Sequence, residues 1–450
     1  MLGAVSIGNA TIIVLDDVPI LATDPWIGDE DEAYFGSWRL SHKIPSREKN
    51  WISEAKYHWY SHGHPDHLNP HSINRFTGTT VLLADHVGGR IKQGLIKKGL
   101  NVQVLPDREW VGLSSNVRVM SICDYLQDAI LLIDINGRLF VNANDAGLRG
   151  SKRFVRKIAN NYSECYLLKL SGYGDADMIN LFDANGDQIK PYAAQKPSVG
   201  RQLTRFAKAL NCNFVIPSSS FHQYAREDSV WAEQYTTPID AYKEGFDHSI
   251  ATYVDPFVFI NCESGEIIPI CPEKNPQKIL KPADFGDDWA ELLDSDDKKK
   301  IDRYFRAKEL IVKNFGFLKF VVGGNTYTLS LNGPKDKGIA FEVPRNSLMI
   351  CVDYAIFDDL LIGNFMRTTL YGVDSLYDPN FGHVVAKFAD NGNVQTESEV
   401  RDYMNIYKTR AQGDWLLHIL ERDTNQVFRK YVDKDSILYR GTRSVYRMFR

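Results

Sequence analysis

The sequence predicts a layered α/β sandwich followed by a smaller α+β region, and three observations carry that prediction. Short β-rich runs recur through the first 220 residues, separated by turn residues. Two stretches among them show helical spacing in place of alternation. Polar residues, histidine and aspartate above all, gather where the strand-like runs end.

In chain order, residues 10–15 and 20–23 read as paired strands around Asp16-Asp17-Val18-Pro19. Tyr57-His58-Trp59-Tyr60 is a short strand-like run. Residues 79–84, 117–122 and 129–135 repeat the theme, and the last turns through Asn136-Gly137 into Leu139-Phe140-Val141. Residues 87–98 and 199–210 carry helical spacing. Phe214-Val215-Ile216-Pro217 is a buried-type strand ending on Ser218-Ser219-Ser220. The character changes between 274 and 300, where prolines give way to an acidic and then a basic stretch. This places a dinuclear-metal domain at 1–273, a connector at 274–304 and a C-terminal α+β accessory domain at 305–450. In the last, 317–322, 326–331 and 339–343 read as a meander, with helices near 347–358 and 397–408. His383 and His418 stand alone in their sequence surroundings.

Composition narrows the function classes. A chain of 450 residues that is 44% hydrophobic can bury a large core. Its formal charge of −4 leaves no electrostatic footprint for nucleic acid. No apolar run approaches the roughly 18 residues that span a bilayer, and the first residues lack the basic start of a signal peptide. The six cysteines have no CxxC spacing, which fits reduced thiols and removes cysteine zinc sites and iron–sulfur clusters. The expectation is a cytoplasmic globular protein with no nucleic-acid or membrane partner.

The chemistry centres on Ser61-His62-Gly63-His64-Pro65-Asp66-His67-Leu68. Three of eleven histidines and a carboxylate fall within six residues, directly after a strand. Such density of imidazole points to metal. Alternation along the turn sends His62 and His64 to one side and leaves Asp66 and His67 for a neighbouring centre. Asp145, at the end of a strand, can bridge two cations about 3.5–4 Å apart. His222, after the serine run, stands where a second metal needs its last nitrogen.

The order HxHxDH, strand-end Asp, late His resembles the metallo-β-lactamase superfamily. The resemblance implies an αββα sandwich with two metals at the edge between its sheets. His62 and His64 would hold the first metal, Asp66, His67 and His222 the second, and Asp145 both. The family usually supplies one more histidine before the strand leading to the bridging Asp. Here that segment reads Ile122-Cys123-Asp124-Tyr125-Leu126-Gln127-Asp128-Ala129, with no histidine between His86 and His222. Asp124 stands at the expected place and Asp128 four residues later. Asp124 is therefore the candidate third ligand of the first metal, and either Asp could instead cap a turn. Imidazole-rich sites suit zinc, whereas mixed imidazole and carboxylate sites suit iron and manganese.

The segments Thr23-Asp24-Pro25-Trp26-Ile27, Gly36-Ser37-Trp38 with Pro45, Val343-Pro344-Arg345-Asn346-Ser347-Leu348 and Asp358-Asp359-Leu360-Leu361-Ile362-Gly363 are similar to the CMP-N-acetylneuraminate hydroxylase family. Trp26 and Trp38 also read as packing around the first hairpin. That family carries a Rieske cluster on CxH and CxxH, and this chain has neither. The resemblance therefore implies a separate electron-transfer protein. Related di-iron hydroxylases look similar in carrying a carboxylate where Asp124 stands.

The expected function is a non-haem di-iron monooxygenase, a hydroxylase or N-oxygenase acting on a small molecule or sugar-type substrate. The alternative is a dinuclear zinc or manganese hydrolase of an ester, lactone, phosphodiester or sulfate, with Asp66 or Asp145 orienting a metal-bound hydroxide. Tyr125, Tyr224 or Arg226 would steady developing negative charge. A purely structural metal domain is disfavoured, because closed structural sites use four ligands around one ion.

Overall fold

In the computed structural model, which describes residues 1–76, 78–173 and 178–420, two large sheets face each other. The end of the expected C-terminal domain, 421–450, lies outside the described residues. The first sheet has eight strands, ordered Ile267–Pro269, Val258–Asn261, Leu2–Ile7, Thr11–Asp16, Val18–Thr23, Tyr57–Tyr60, Thr80–Ala84 and Asn101–Leu105. Its last four strands run parallel. The second has seven, ordered Thr252–Tyr253, Phe214–Ser218, Glu164–Leu170, Arg138–Asn144, Ala129–Ile135, Val117–Cys123 and Val111–Gly112.

Alternation sorts each strand's side chains into two layers. Ile12, Val14 and Leu21 from the first sheet share one buried cluster with Leu131, Ile133 and Phe140 from the second. The intervening residues group with helices: Ile13 and Leu83 with Ile52 and Leu95, and Leu132 and Leu167 with Val155 and Leu203. The result is helix, sheet, sheet, helix, the expected αββα order. A buried hydrogen bond of 3.2 Å from Asn142 Nδ2 to Thr23 Oγ1 ties the two sheets together.

Ala129–Ile135 and the helix Val199–Leu210 coincide with the strand and helix expected from spacing. Asn136 and Gly137 take φ of +47° and +86°, the positive values a two-residue hairpin turn needs. The helix expected from residue 87 starts at Arg90. Gly88 holds φ +94°, and a Cβ there would meet the Gly392 carbonyl oxygen at 2.5 Å, so the chain cannot yet be helical. Leu2–Ile7 is a strand the pattern did not reveal. The cysteines are free, five buried and Cys271 exposed, and the chain brings the Cys165 and Cys212 thiols to 2.9 Å. No helix among the described residues is long and apolar enough to cross a membrane.

Residues 317–343 do not form a meander. Phe317–Val322 pairs antiparallel with Asn325–Ser330 but parallel with Gly338–Glu342, because residues 331–337 carry the chain back across to the far side of the first strand. The helix expected at 347–358 is two, Arg345–Tyr354 and Asp358–Gly363, broken at Ala355 with φ +53°. A π-helical stretch, Val384–Asn391, lies further on. Such stretches are rare and gather at functional sites.

A division of the chain at 273 and 305 is a proposal from composition, and several contacts cross it. Leu181–Phe182 forms an edge of the C-terminal sheet by pairing with Arg367–Tyr371. Arg226 is fully buried, with Nε on Asp228 (2.7 Å), Nη1 on the Phe35 carbonyl (3.0 Å) and Nη2 on Asp287 (2.7 Å). Asp287 also accepts from the Ser347 amide and hydroxyl at 2.9 and 2.6 Å. The guanidinium lies 3.9 Å from the centre of the Phe365 ring.

Two predictions follow from these buried polar groups. Arg226→Met leaves the Asp287 carboxylate buried and uncompensated, so unfolding free energy should fall by about 3–5 kcal/mol in denaturant titration. Burial pushes His42 down to about 3, and burial likewise lowers His58 to about 4 despite its bond to the Ile52 carbonyl. Both are neutral when folded but take up a proton near pH 6.5 when unfolded. Stability of the metal-free protein should therefore hold above pH 6.5 and fall as pH drops from there towards 4, as measured by urea midpoints.

Candidate metal centre

The loop after Tyr57–Tyr60 is bent by its own backbone. The His64 carbonyl accepts from the amides of His67 (3.0 Å) and Leu68 (2.7 Å), so the chain coils back and returns His67 to face His62. Asn69 Nδ2 closes the turn on the Pro65 carbonyl at 3.0 Å. The ring centroids of His62 and His67 are 4.2 Å apart and those of His62 and His64 4.6 Å.

Inside this turn the donor atoms converge. His62 Nε2 and His64 Nδ1 approach to 2.9 Å. His67 Nε2 lies 3.4 Å from Asp66 Oδ2 and 3.5 Å from Asp145 Oδ1. His62, His67 and Asp145 each bring one donor atom within 4.8 Å of the others. Asp145 reaches the loop because the strand Arg138–Asn144 shifts register at its end and Asn144 takes φ +30°. The Ser219 hydroxyl donates to Asp145 Oδ1. Tyr34 Oη and Asn9 Nδ2 donate to the two oxygens of Asp66 at 2.5 and 3.0 Å.

The outward nitrogens are held as well. His62 Nδ1 meets Ser61 Oγ at 2.8 Å, and that hydroxyl donates to Asp24 Oδ1 at 3.1 Å. His67 Nδ1 lies 3.2 Å from Asp24 Oδ2. His64 Nε2 meets Asp358 Oδ2 at 3.0 Å. The Ser61 carbonyl accepts from His86 Nε2 at 3.1 Å, bracing the loop from the next strand end.

His222 comes from a two-stranded ribbon in which it pairs with Leu40, and Tyr224 with Trp38. Trp38 stacks on the His222 ring at 3.6 Å and 6°, so this tryptophan packs on a candidate ligand. Both His222 nitrogens are buried with no hydrogen-bond partner. An imidazole normally satisfies at least one nitrogen when buried, and a cation in front of the ring would satisfy this one.

The loop at 124–128 sits at the rim. Asp124 Oδ1 accepts the Leu126 amide at 2.7 Å and Oδ2 accepts from Arg149 at 3.0 Å, outside the three-residue donor group. Asp128 has no side-chain hydrogen bond among the described residues, only Lys387 at 3.7 Å and Arg149 at 3.9 Å. Tyr125 bonds His418 through its hydroxyl at 3.0 Å, so that histidine is not isolated. The Tyr224 hydroxyl accepts from Asn364 Nδ2 at 2.8 Å, and Arg226 is engaged in the clamp described above.

Electrostatics mark the same spot. Burial alone would lower the His67 pKa, but Asp66, Asp145 and Asp24 overcome it and raise it well above the usual value. Burial works to raise Asp145, and His67 more than offsets that, leaving the carboxyl well below the usual range. Burial and the charge of His67 and His64 push His62 far down. Burial lowers Lys169 to about 8, with its ammonium on the Asn144 carbonyl at 2.8 Å, one residue from Asp145. A proton on His67 thus supplies, among these acids, the positive charge a metal would bring.

Sequence reasoning did not identify Ser219, Asn9, Tyr34, Lys169 or Asp358 as site residues. The serine run before His222 was a partial signal for Ser219. Asp358 falls in the segment 358–363 that carries the hydroxylase-like resemblance, but nothing there ties it to the metal loop, and it lies 294 positions from the histidine it meets.

A two-sheet sandwich with helices outside and an HxHxDH loop converging on a strand-end Asp decides the architecture. The chain has the metallo-β-lactamase fold. Similar solved structures include the metallo-β-lactamase fold protein YhfI from Bacillus subtilis, 11% identical over 57% and 96%, TM-score 0.33, and metal-dependent enzymes. The di-iron β-hydroxylase CmlA from Streptomyces venezuelae is 12% identical, covering 58% of this chain and 54% of that one, with a TM-score of 0.35. An isothiocyanate hydrolase from Delia radicum gut bacteria is 14% identical over 60% and 99%, TM-score 0.38. The metallo hydrolase Igni18 from Ignicoccus hospitalis is 15% identical over 58% and 97%, TM-score 0.38. No family model matches the sequence. By sequence, the chain is 25% identical over 145 residues to the cytidine monophosphate-N-acetylneuraminic acid hydroxylase of Gorilla gorilla gorilla, covering 30% of this chain and 24% of that protein. The Asterias rubens hydroxylase is 26% identical over 136 residues, 28% and 20%. The matched stretch thus spans about a quarter or less of these relatives.

The orphaned nitrogens of His222 give a test that separates ligand from packing residue. His222→Phe keeps the stack on Trp38 and removes two unsatisfied buried nitrogens, which cost about 1–3 kcal/mol each when unpaired. In chelator, its melting temperature should equal or exceed wild type. The rise in melting temperature that metal gives the wild type should shrink in the variant.

Proposed function

We propose that this chain is a di-iron monooxygenase of the metallo-β-lactamase fold that hydroxylates a small-molecule or sugar-type substrate. The observation that carries this reading is the donor set. The proposed set is four imidazoles, His62, His64, His67 and His222, with Asp66 and Asp145, of which His62, His67 and Asp145 hold donor atoms within 4.8 Å of one another, and the rim loop offers carboxylates with no histidine. Nitrogen and oxygen in near-equal share suit iron better than zinc. The hydroxylase names of the sequence relatives support the same class.

The residues present fit a metal pair: two lone pairs meet between His62 and His64, and His222 has nothing else to bind. His62 and His64 would hold the first ion, Asp66, His67 and His222 the second, and Asp145 both. Bound there, iron would supply dioxygen activation. Asp128 is better placed than Asp124 to complete the first ion's set, because both Asp124 oxygens already accept hydrogen bonds and neither Asp128 oxygen does. Tyr34 and Asn9 fix the rotamer of Asp66, and Ser219 that of Asp145. Trp38 covers one face of His222 and keeps water from it. Tyr125, on the rim loop, and Tyr224, behind His222, are the hydroxyls proposed to steady charge on the substrate, while Arg226 acts through the position of Asp228 and Phe35. Electrons would come from a separate protein, since this chain has no CxH or CxxH pair. A cytoplasmic setting, consistent with free thiols, belongs to the same proposal.

The decisive measurement is metal content with function. Protein produced with iron should hold about two irons per chain and, when reduced, consume dioxygen. His64→Ala and Asp145→Ala should each lower bound metal, and Asp128→Ala should lower it more than Asp124→Ala. Stoichiometric zinc, phosphodiester hydrolysis and no oxygen uptake would establish the hydrolase in place of the oxygenase.

A further inference from the structure

The metal loop is braced from two distant parts of the chain, and the two braces do not serve the same histidines. Both His62 and His67 lead back to Asp24 at the end of the strand Val18–Thr23, the first through Ser61 and the second at 3.2 Å. Asp24 itself is fully buried and accepts the Ser61 amide at 2.7 Å. His64 has no such link. Among the described residues its outward nitrogen meets only Asp358, from the C-terminal region, at 3.0 Å.

We propose that Asp358 is a positioning residue for the first metal, so that the C-terminal region orients the ligand His64 of that site directly, while His67 of the second is oriented by Asp24 of the sandwich. The proposal rests on the dinuclear reading given above. His64 presents Nδ1 towards His62 Nε2, so it would bind a cation through Nδ1. The ring must then carry its proton on Nε2, and a partly buried N–H needs an acceptor. Asp358 supplies it. Without that acceptor the ring is free to take the other tautomer or to turn away, and the first ion loses an oriented ligand.

Asp358 is held rigidly enough for this role. Its side chain is 5% exposed, against 16% for His64. The break at Ala355 redirects the chain so that Asp358 opens the next helix, Asp358–Gly363. Just before it, the Phe357 amide donates to Asp390, which accepts from Tyr304 at 2.6 Å and lies 3.5 Å from the buried Lys308. Just after it, Asn364 fastens the helix end to Tyr224 at 2.8 Å and accepts the Ile179 amide at 2.9 Å. The carboxylate thus hangs between two anchors, one of them reaching the strand that carries His222.

The test is a cobalt(II) titration of the full-length, metal-free protein, followed by visible absorption and by metal analysis after desalting. Wild type should take up two equivalents. Asp358→Asn should keep one equivalent at wild-type affinity, with the second weakened about 10–100-fold and its absorption bands altered. Its circular dichroism and melting temperature in chelator should match wild type. Asp358→Glu retains the charge and should recover part of the lost affinity, and it carries the test if the Asn variant does not fold. Two unaltered sites in Asp358→Asn would overturn the proposal, and so would equal weakening of both, because a general scaffold residue would not discriminate. A wild-type protein that takes up no cobalt would overturn the dinuclear reading itself, and the role of Asp358 with it.

Discussion

An imidazole can turn a lone pair towards a cation from one nitrogen only when the other nitrogen keeps its proton bonded. The whole centre depends on that constraint. His62, His64 and His67 sit in one coiled turn, the first and last buried and His64 only partly exposed. Each therefore needs a partner from the protein: Ser61, Asp358 and Asp24. The sandwich matters to function because it ends the strand Val18–Thr23 at the point where Asp24 can serve two of these rings. The parallel pairing of that strand with Tyr57–Tyr60 sets Asp24 beside Ser61, and the Asp24 amide bonds the Trp59 carbonyl at 2.7 Å.

The same crowding explains the charges. Three buried carboxylates, Asp24, Asp66 and Asp358, and the half-buried Asp145 gather round three rings. Burial penalises each charge, so the cluster must import a cation or hold a proton. His67 takes that proton among three of the acids. The proposed metal pair would do the job better, since it would also meet the inward nitrogens of His62, His64 and His222. On the proposed dinuclear reading, a cation would take one of the two orphaned nitrogens of His222, so metal binding would favour the folded state.

What was legible beforehand follows the range of each interaction. His62, His64, Asp66 and His67 lie within six residues, so their spacing writes the loop directly into the chain. Asp145 was legible because strand ends are where an α/β sandwich gathers its chemistry. The layer order showed in the alternation of runs such as Ala129–Ile135. Pairings between distant segments left no local trace. The parallel addition of Gly338–Glu342 looks like a meander in one dimension, since only the route of residues 331–337 separates the two. Leu2–Ile7 was hidden by its small residues: Gly3 is required where a Cβ would strike the Ile260 carbonyl, yet glycine reads as a turn. Asp358 sits in an acidic pair at a helix start, a pattern that ordinarily means capping.

That last ambiguity has a physical consequence for the reaction. A carboxylate bonded to the far side of a metal-binding imidazole makes the ring a stronger electron donor and holds it at a fixed angle. His62 reaches its carboxylate only through the Ser61 hydroxyl, whereas His64 touches Asp358 directly. On the proposed dinuclear reading the two rings of the first site would therefore be unequal donors, with His64 oriented from outside the sandwich by Asp358. Its anchors, Asp390 and Asn364, are buried in the C-terminal core beside Phe357 and Met366. A rearrangement there would be felt at His64 before it reached His67, whose outward nitrogen is held by Asp24 at the end of a first-sheet strand. The C-terminal region is thus better described as part of the centre's second layer than as a cover over it.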